Sequence, residues 1–197
     1  MPRPPRQLVD QGFYHVIARG NNRLFILDMM DEFQTFKGII SDSKKQFKWK
    51  LYHYCLMSDH VHLLAQVERG KDLPKLMQFL LQGYSRWYKT KYDYIGHLWQ
   101  GRYKSPLIEK ESYMLECGRY IERNPVRANI VNRPEDYPWS SYRFYAIGET
   151  DPLVDEDPYF QSFGLSAQKR MRQYKEFVRI ESPYNAIISR SLAGNAI

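Results

Sequence analysis

His60 and His62 stand two positions apart in the run His60-Val61-His62-Leu63-Leu64, whose alternation suits a β-strand. A period of two places His60, His62, Leu64 and Gln66 on one face and Val61, Leu63, Ala65 and Val67 on the other. Two imidazoles on one rigid face can offer two nitrogens to a single divalent ion, which would polarise a phosphoryl oxygen or stabilise a leaving alkoxide. The same spacing also suits two histidines satisfied by hydrogen bonds at a sheet edge. His53 and Cys55 share a face of the preceding run, and pooled with His60 and His62 they would make a tetrahedral zinc set. That set requires a hairpin register bringing all four to one sheet face, and ordinary packing is the preferred reading for His53 and Cys55.

A second group lies further along. Offsets of three and four collect Tyr113, Cys117, Tyr120 and Asn124 on one helical face, with Tyr120 and Asn124 one turn apart. If that face meets the histidine strand, Asn124 has a carbonyl oxygen for the metal and Tyr120 a phenolate for a phosphate beside it. Pro125 biases Asn124 away from helical geometry, and in a chain with 16 tyrosines packing is the default role for any one of them. A third group interleaves Arg86, Lys89, Lys91, Arg102 and Lys104 with Trp87, Tyr88, Tyr92, Tyr94, Trp99 and Tyr103. Cations with stacking rings suit an unpaired nucleic-acid strand, and about half of these aromatics are expected in the core.

Composition agrees with a polyanionic partner. The 197 residues carry 29 Lys and Arg against 22 Asp and Glu, a net charge of +7, and their 43% hydrophobic content is enough for a core. Two isolated cysteines, Cys55 and Cys117, suggest no disulfide and a reducing, cytoplasmic setting. The opening Met1–Arg6 lacks the apolar run of a signal peptide, and no apolar stretch is long enough to span a bilayer.

The elements that must position these groups follow from periodicity. Strands are expected at Phe13–Arg19, Lys50–Met57, Val61–Val67 and Tyr103–Glu109, with Gly20-Asn21-Asn22 and Ser58-Asp59 as turns. Helices are expected over Asp31–Gln46, capped by Asp28 or Asp31, over Leu73–Lys91, and over Tyr113–Arg123, capped by Ser112 and ended at Asn124-Pro125. This order gives an α+β, ferredoxin-like antiparallel sheet flanked by helices, with a C-terminal helical extension. Residues 1–148 form the main domain. Residues 149–197 comprise an acidic connector, a basic amphipathic helix over Ser166–Glu181 and a weakly ordered tail from Ser182.

Several motifs in order carry a family resemblance: Tyr14-His15-Val16, Arg19-Gly20-Asn21-Asn22-Arg23, Leu56-Met57-Ser58-Asp59-His60-Val61-His62-Leu63-Leu64, Gly101-Arg102-Tyr103-Lys104-Ser105, Arg119-Tyr120-Ile121, Asn124-Pro125-Val126-Arg127-Ala128 and Asp136-Tyr137-Pro138-Trp139-Ser140-Ser141-Tyr142. The chain resembles the REP-associated tyrosine transposases, relatives of the insertion-sequence-200-like transposases that use one tyrosine and a histidine pair. It departs from the usual pattern at Ser58-Asp59, where proline and asparagine are more typical, and at Asn129, where glycine is common. Asp59 adds a carboxylate, for which a turn role is preferred over metal contact.

The resemblance implies that His60 and His62 bind Mg²⁺ or Mn²⁺, that Asn124 takes the third ligand position and that Tyr120 is the nucleophile. It implies cleavage and rejoining of hairpin-bearing single-stranded DNA through a 5′-phosphotyrosine, without a nucleotide cofactor. Arg19, Asn22, Arg23, Arg86, Trp87, Lys89, Trp99, Arg102, Tyr103 and Lys104 are the expected DNA contacts, and Lys104, Arg102 or Arg123 the cations that assist the tyrosine. The expected protein works as a monomer or homodimer, associated with the nucleoid and not a membrane. The alternatives are a catalytically silent hairpin-binding regulator and a related replication initiator or relaxase.

Overall fold

The computed structural model describes residues 7–109 and 111–180, with side chains for all of these except Glu111 and Ser112. The expectations for Met1–Arg6, for the cap at Ser112 and for the tail from Ser182 lie outside what is described. Four strands, β1 (Phe13–Arg19), β2 (Trp49–Leu56), β3 (His60–Val67) and β4 (Leu107–Ile108), form one antiparallel sheet in the order β2-β3-β1-β4. This is the ferredoxin-like order expected from β-α-β-β-α-β. Helices α1 (Met30–Gln46) and α2 (Leu73–Tyr92) cross over one face, while α3 (Glu111–Arg127) covers the other.

Alternation divides the residues between the two layers. Tyr14, Val16, Leu51, Tyr54, Leu56, Val61, Leu63 and Ala65 pack with Phe33, Phe36 and Ile40 of α1 and Leu76, Leu80 and Tyr84 of α2. The opposite face gives Tyr52, Cys55 and Leu64 to a smaller core with Met114, Cys117 and Ile121 of α3. A β-bulge between Leu51 and His53 lets Tyr52 and His53 occupy the same face.

Three boundaries differ from expectation. Neither Asp28 nor Asp31 caps α1; the Glu32 carboxylate instead accepts from the backbone amides of Asp28 and Met29. The strand expected over Tyr103–Glu109 shrinks to Leu107–Ile108, with a separate bridge from Lys104 to Ile17, because Pro106 between them brings no ladder N–H. Helix α3 runs through Pro125 to Arg127 instead of stopping at Asn124. Proline cannot donate to the Ile121 carbonyl, and the Asn124 side-chain amide replaces that donor, 3.2 Å from the Ile121 oxygen and 2.9 Å from that of Tyr120. Asn124→Ala should therefore cost about 1 kcal/mol, read as a lower urea midpoint.

Beyond α4 (Tyr142–Ile147), the acidic stretch fastens onto the sheet and α1. Lys37 pairs with Asp151 at 3.1 Å, Lys44 pairs with Asp155, and the Leu51 amide donates to Asp155 at 2.8 Å. The basic helix α5 (Ala167–Arg179), capped by Ser166, buries Tyr174 and Val178. No helix among the described residues is long and apolar enough to cross a membrane.

Candidate active site

Strand β3 presents His60 and His62 to the face that α3 covers. Both Nδ1 atoms are engaged: His60 Nδ1 with the Asp59 carboxylate at 2.5 Å, and His62 Nδ1 with His15 Nε2 at 2.9 Å. Asp59 is thus more than a turn residue, since it orients His60 from the neighbouring position. Its other oxygen lies 3.9 Å from Arg19 Nε. Burial lowers the pKa of His60, against the opposing pull of Asp59. Burial also holds the pKa of His62 well below its ordinary value, helped by His15, His60, Arg19 and Arg127, and pushes that of His15 down to about 3. All three imidazoles are therefore neutral near pH 7, the form in which a ring nitrogen can ligate a metal.

Helix α3 brings Tyr120 to the same place. Its ring lies 5.7 Å from the rings of both His15 and His62, edge-on in each case. Arg127 lies over it, with its guanidinium carbon 4.8 Å from the ring centroid. Of the three cations expected to assist Tyr120, Arg123 is committed elsewhere: it donates to the Val178 and Arg179 carbonyls at 2.8 and 2.6 Å. Nothing in the sequence points to Arg127, because Asn124-Pro125 signals a helix end before it. His15 does carry a sequence signal, since it shares the period-two face of β1 with Phe13 and Ile17.

His53 does not join His60 and His62, although the hairpin register puts it on their face. Its Nδ1 meets Glu122 at 2.9 Å and its Nε2 meets Asp157 at 3.0 Å, so neither nitrogen is left for zinc. Glu122 also accepts from Ser141 at 2.6 Å and Tyr174 at 2.7 Å, and the Tyr145 ring stacks on His53 at 4.5 Å. Gly118 makes room for the imidazole, since a Cβ there would sit 2.7 Å from Nε2. Burial opposes the charged imidazole, but the two carboxylates overcome it and raise its pKa to about 9. Cys55 is buried with its Sγ 3.5 Å from Met57 Sδ.

The expected DNA contacts fall in two settings. Arg19, Asn22, Arg23, Arg86, Lys89, Arg102 and Lys104 are exposed. Asn22 and Arg23 adopt left-handed backbone conformations, φ 51° and 57°, in the turn that follows β1. Trp87, Trp99 and Tyr103 are half-buried; Trp99 donates from Nε1 to the Leu81 carbonyl at 2.9 Å and packs against Tyr84.

Fold and site define a class: an α+β sandwich whose sheet sets a histidine pair against a helix-borne tyrosine. The chain matches the family described as "Transposase IS200 like" over residues 8–124, more than half its length, and belongs to that family. It is 23% identical over 141 residues to a Haemophilus influenzae protein assigned as a REP-associated tyrosine transposase, covering 66% of this chain and 78% of the relative. The solved structure of a REP-associated tyrosine transposase bound to a REP hairpin aligns with a TM-score of 0.66 at 18% identity, over 80% of this chain and 93% of the other. At that identity the likeness is one of fold.

Proposed function

We propose that the protein binds hairpin-bearing single-stranded DNA and cleaves and rejoins it through a covalent bond to Tyr120. The observation that carries this reading is the meeting of Tyr120 with His62 and His15, at 5.7 Å between ring centroids, within a chain of the IS200-like transposase family. Tyr120 loses its phenolic proton to solvent, its oxygen forms a bond to the scissile phosphorus, and the bond from phosphorus to the 3′ oxygen breaks. That oxygen takes up a proton as a free 3′-hydroxyl, and the protein retains the 5′-phosphate as a phosphodiester. Rejoining is the reverse, so the bond energy stays in the link and no nucleotide cofactor is needed.

The Arg127 guanidinium lies over the Tyr120 ring, where it meets the negative charge of the incoming phosphate. His60 and His62, neutral and held by their Nδ1 atoms, fit an Nε2 ligand pair, and Asn124 Oδ1 is the atom its backbone hydrogen bonds leave for a third contact. A Mg²⁺ or Mn²⁺ ion bound there supplies Lewis acidity toward the phosphoryl and leaving oxygens. The exposed Arg19, Arg23, Arg86, Lys89, Arg102 and Lys104 follow the phosphates, Asn22 contacts the strand at the turn, and the half-buried Trp87, Trp99 and Tyr103 provide stacking edges. The hairpin preference is carried over from the REP-hairpin-bound relative.

The test is a hairpin oligonucleotide with a single-stranded flank, incubated with Mn²⁺ and resolved under denaturing conditions. A protein–DNA adduct is expected, lost on adding EDTA and reduced about 10³-fold in His62→Ala. An adduct indifferent to EDTA would refute the metal role. Salt-sensitive hairpin binding with no adduct would identify a binding module instead.

A further inference from the structure

We infer that His15 is the positioning residue of the metal site: its Nε2 accepts the proton on His62 Nδ1 and so keeps the His62 Nε2 lone pair available to the ion. This rests on reading His60 and His62 as the ligand pair. On β1, His15 pairs with Leu64 while Ile17 pairs with His62, so His15 reaches His62 diagonally across one sheet face. The contact is 2.9 Å, and His15 is fully buried, so no bulk water competes for it.

Metal binding at His62 Nε2, together with proton counting, gives the contact its direction. Two neutral imidazoles share one hydrogen bond. If His15 donated, His62 would carry its own proton on Nε2 and offer no lone pair there. If His62 donates, its Nε2 is free, and His15 must carry its proton on Nδ1. That Nδ1 is a buried nitrogen with no hydrogen-bond partner among the described residues. A buried polar atom left unpaired in a packed interior calls for a reason. This nitrogen is unpartnered whichever ring donates, and the ligating tautomer of His62 makes it an N–H in place of a bare lone pair.

The two ligands are backed differently. His60 leans on the Asp59 carboxylate, whose side chain is 24% exposed, whereas His62 leans on an uncharged imidazole at full burial. A carboxylate at the His15 position would carry unsolvated negative charge to the place where a phosphodiester must arrive. An imidazole supplies the acceptor without that charge, and its ring also meets Tyr120 edge-on. His15 thus fixes one ligand and buttresses the proposed nucleophile from the same position.

The test uses full-length protein with ¹⁵N-labelled histidine, without DNA. In metal-free wild type, His62 is expected as the Nδ1–H tautomer. His15→Phe should release it to the Nε2–H form that free imidazole favours, and His15→Gln should restore Nδ1–H through its Oε1. Mn²⁺ titration followed by electron paramagnetic resonance should show binding weakened about 10- to 100-fold in His15→Phe and recovered to within a few-fold in His15→Gln. Should the Phe variant not fold, the Gln variant and wild type still report the tautomer. A wild-type His62 protonated on Nε2, or a folded His15→Phe that keeps both tautomer and affinity, would overturn the inference. Wild type that binds no Mn²⁺ would count against the metal reading instead, and the tautomer shift alone would then decide for or against His15.

Discussion

Tyr120→Phe is expected to give a folded protein that still binds hairpin DNA and forms no covalent adduct. The substitution removes one oxygen and keeps the ring that meets His15, His62 and the Arg127 guanidinium, so packing and the surrounding charges are preserved. Loss of the attacking atom leaves no route to a phosphotyrosine, and the rate of adduct formation should fall on the order of 10⁴-fold or more. Gel electrophoresis of a labelled hairpin after denaturation reads this directly, with a filter-binding curve on the same samples to show that affinity persists. Adduct formation within tenfold of wild type would move the nucleophile elsewhere. Tyr113 is then the first candidate, since it is half-buried and lies two turns back on the same face of α3.

The largest stability effect is expected at His53. His53→Ala would leave Glu122 and Asp157, both fully buried, without the cation between them, at a cost of about 3–5 kcal/mol. The pH dependence has a definite sign. Folding raises the His53 pKa from 6.5 to about 9, so the folded state holds its proton where the unfolded chain has lost it. This contribution is complete below pH 6.5 and disappears as the pH rises through 9. Urea unfolding from pH 6 to 9.5 should show wild type losing stability over that window and the alanine variant lacking this loss. Parallel curves for the two proteins would mean that His53 is uncharged between its carboxylates.

What the sequence made legible depended on how local the cause was. β1, the hairpin and α2 follow from periodicity, and their ends fall within a residue or so of expectation. β4 and the end of α3 do not: the missing ladder N–H of Pro106 shortens the strand expected across it, whereas the helix continues through Pro125, where it was expected to stop. At Pro125, Asn124 provides the missing donor, which carries the helix to Arg127 and brings that cation over Tyr120. The partners of His53 lie 69 and 104 positions away, and no local pattern announces an ion cluster closed by a segment so distant. The histidine pair was legible because strand alternation alone puts His60 and His62 on one face. The place of Tyr120 beside them depended on a helix docking that periodicity does not determine.

The bulge in β2 bears on how this chain tolerates changes of length. Elsewhere in the strand, gaining or losing one residue would turn every following side chain to the opposite face, sending Tyr54 and Leu56 toward α3 and His53 and Cys55 toward α1 and α2. At Tyr52 the strand already holds one residue beyond strict alternation. A homologue lacking it would keep all the other side chains on their present faces, and would forfeit chiefly the Tyr52 hydroxyl contact to Gln66 and the backbone carbonyl that receives the Tyr145 hydroxyl. Within β2, length variation among relatives should therefore concentrate at this single position, leaving the spacing from His53 to His62 intact.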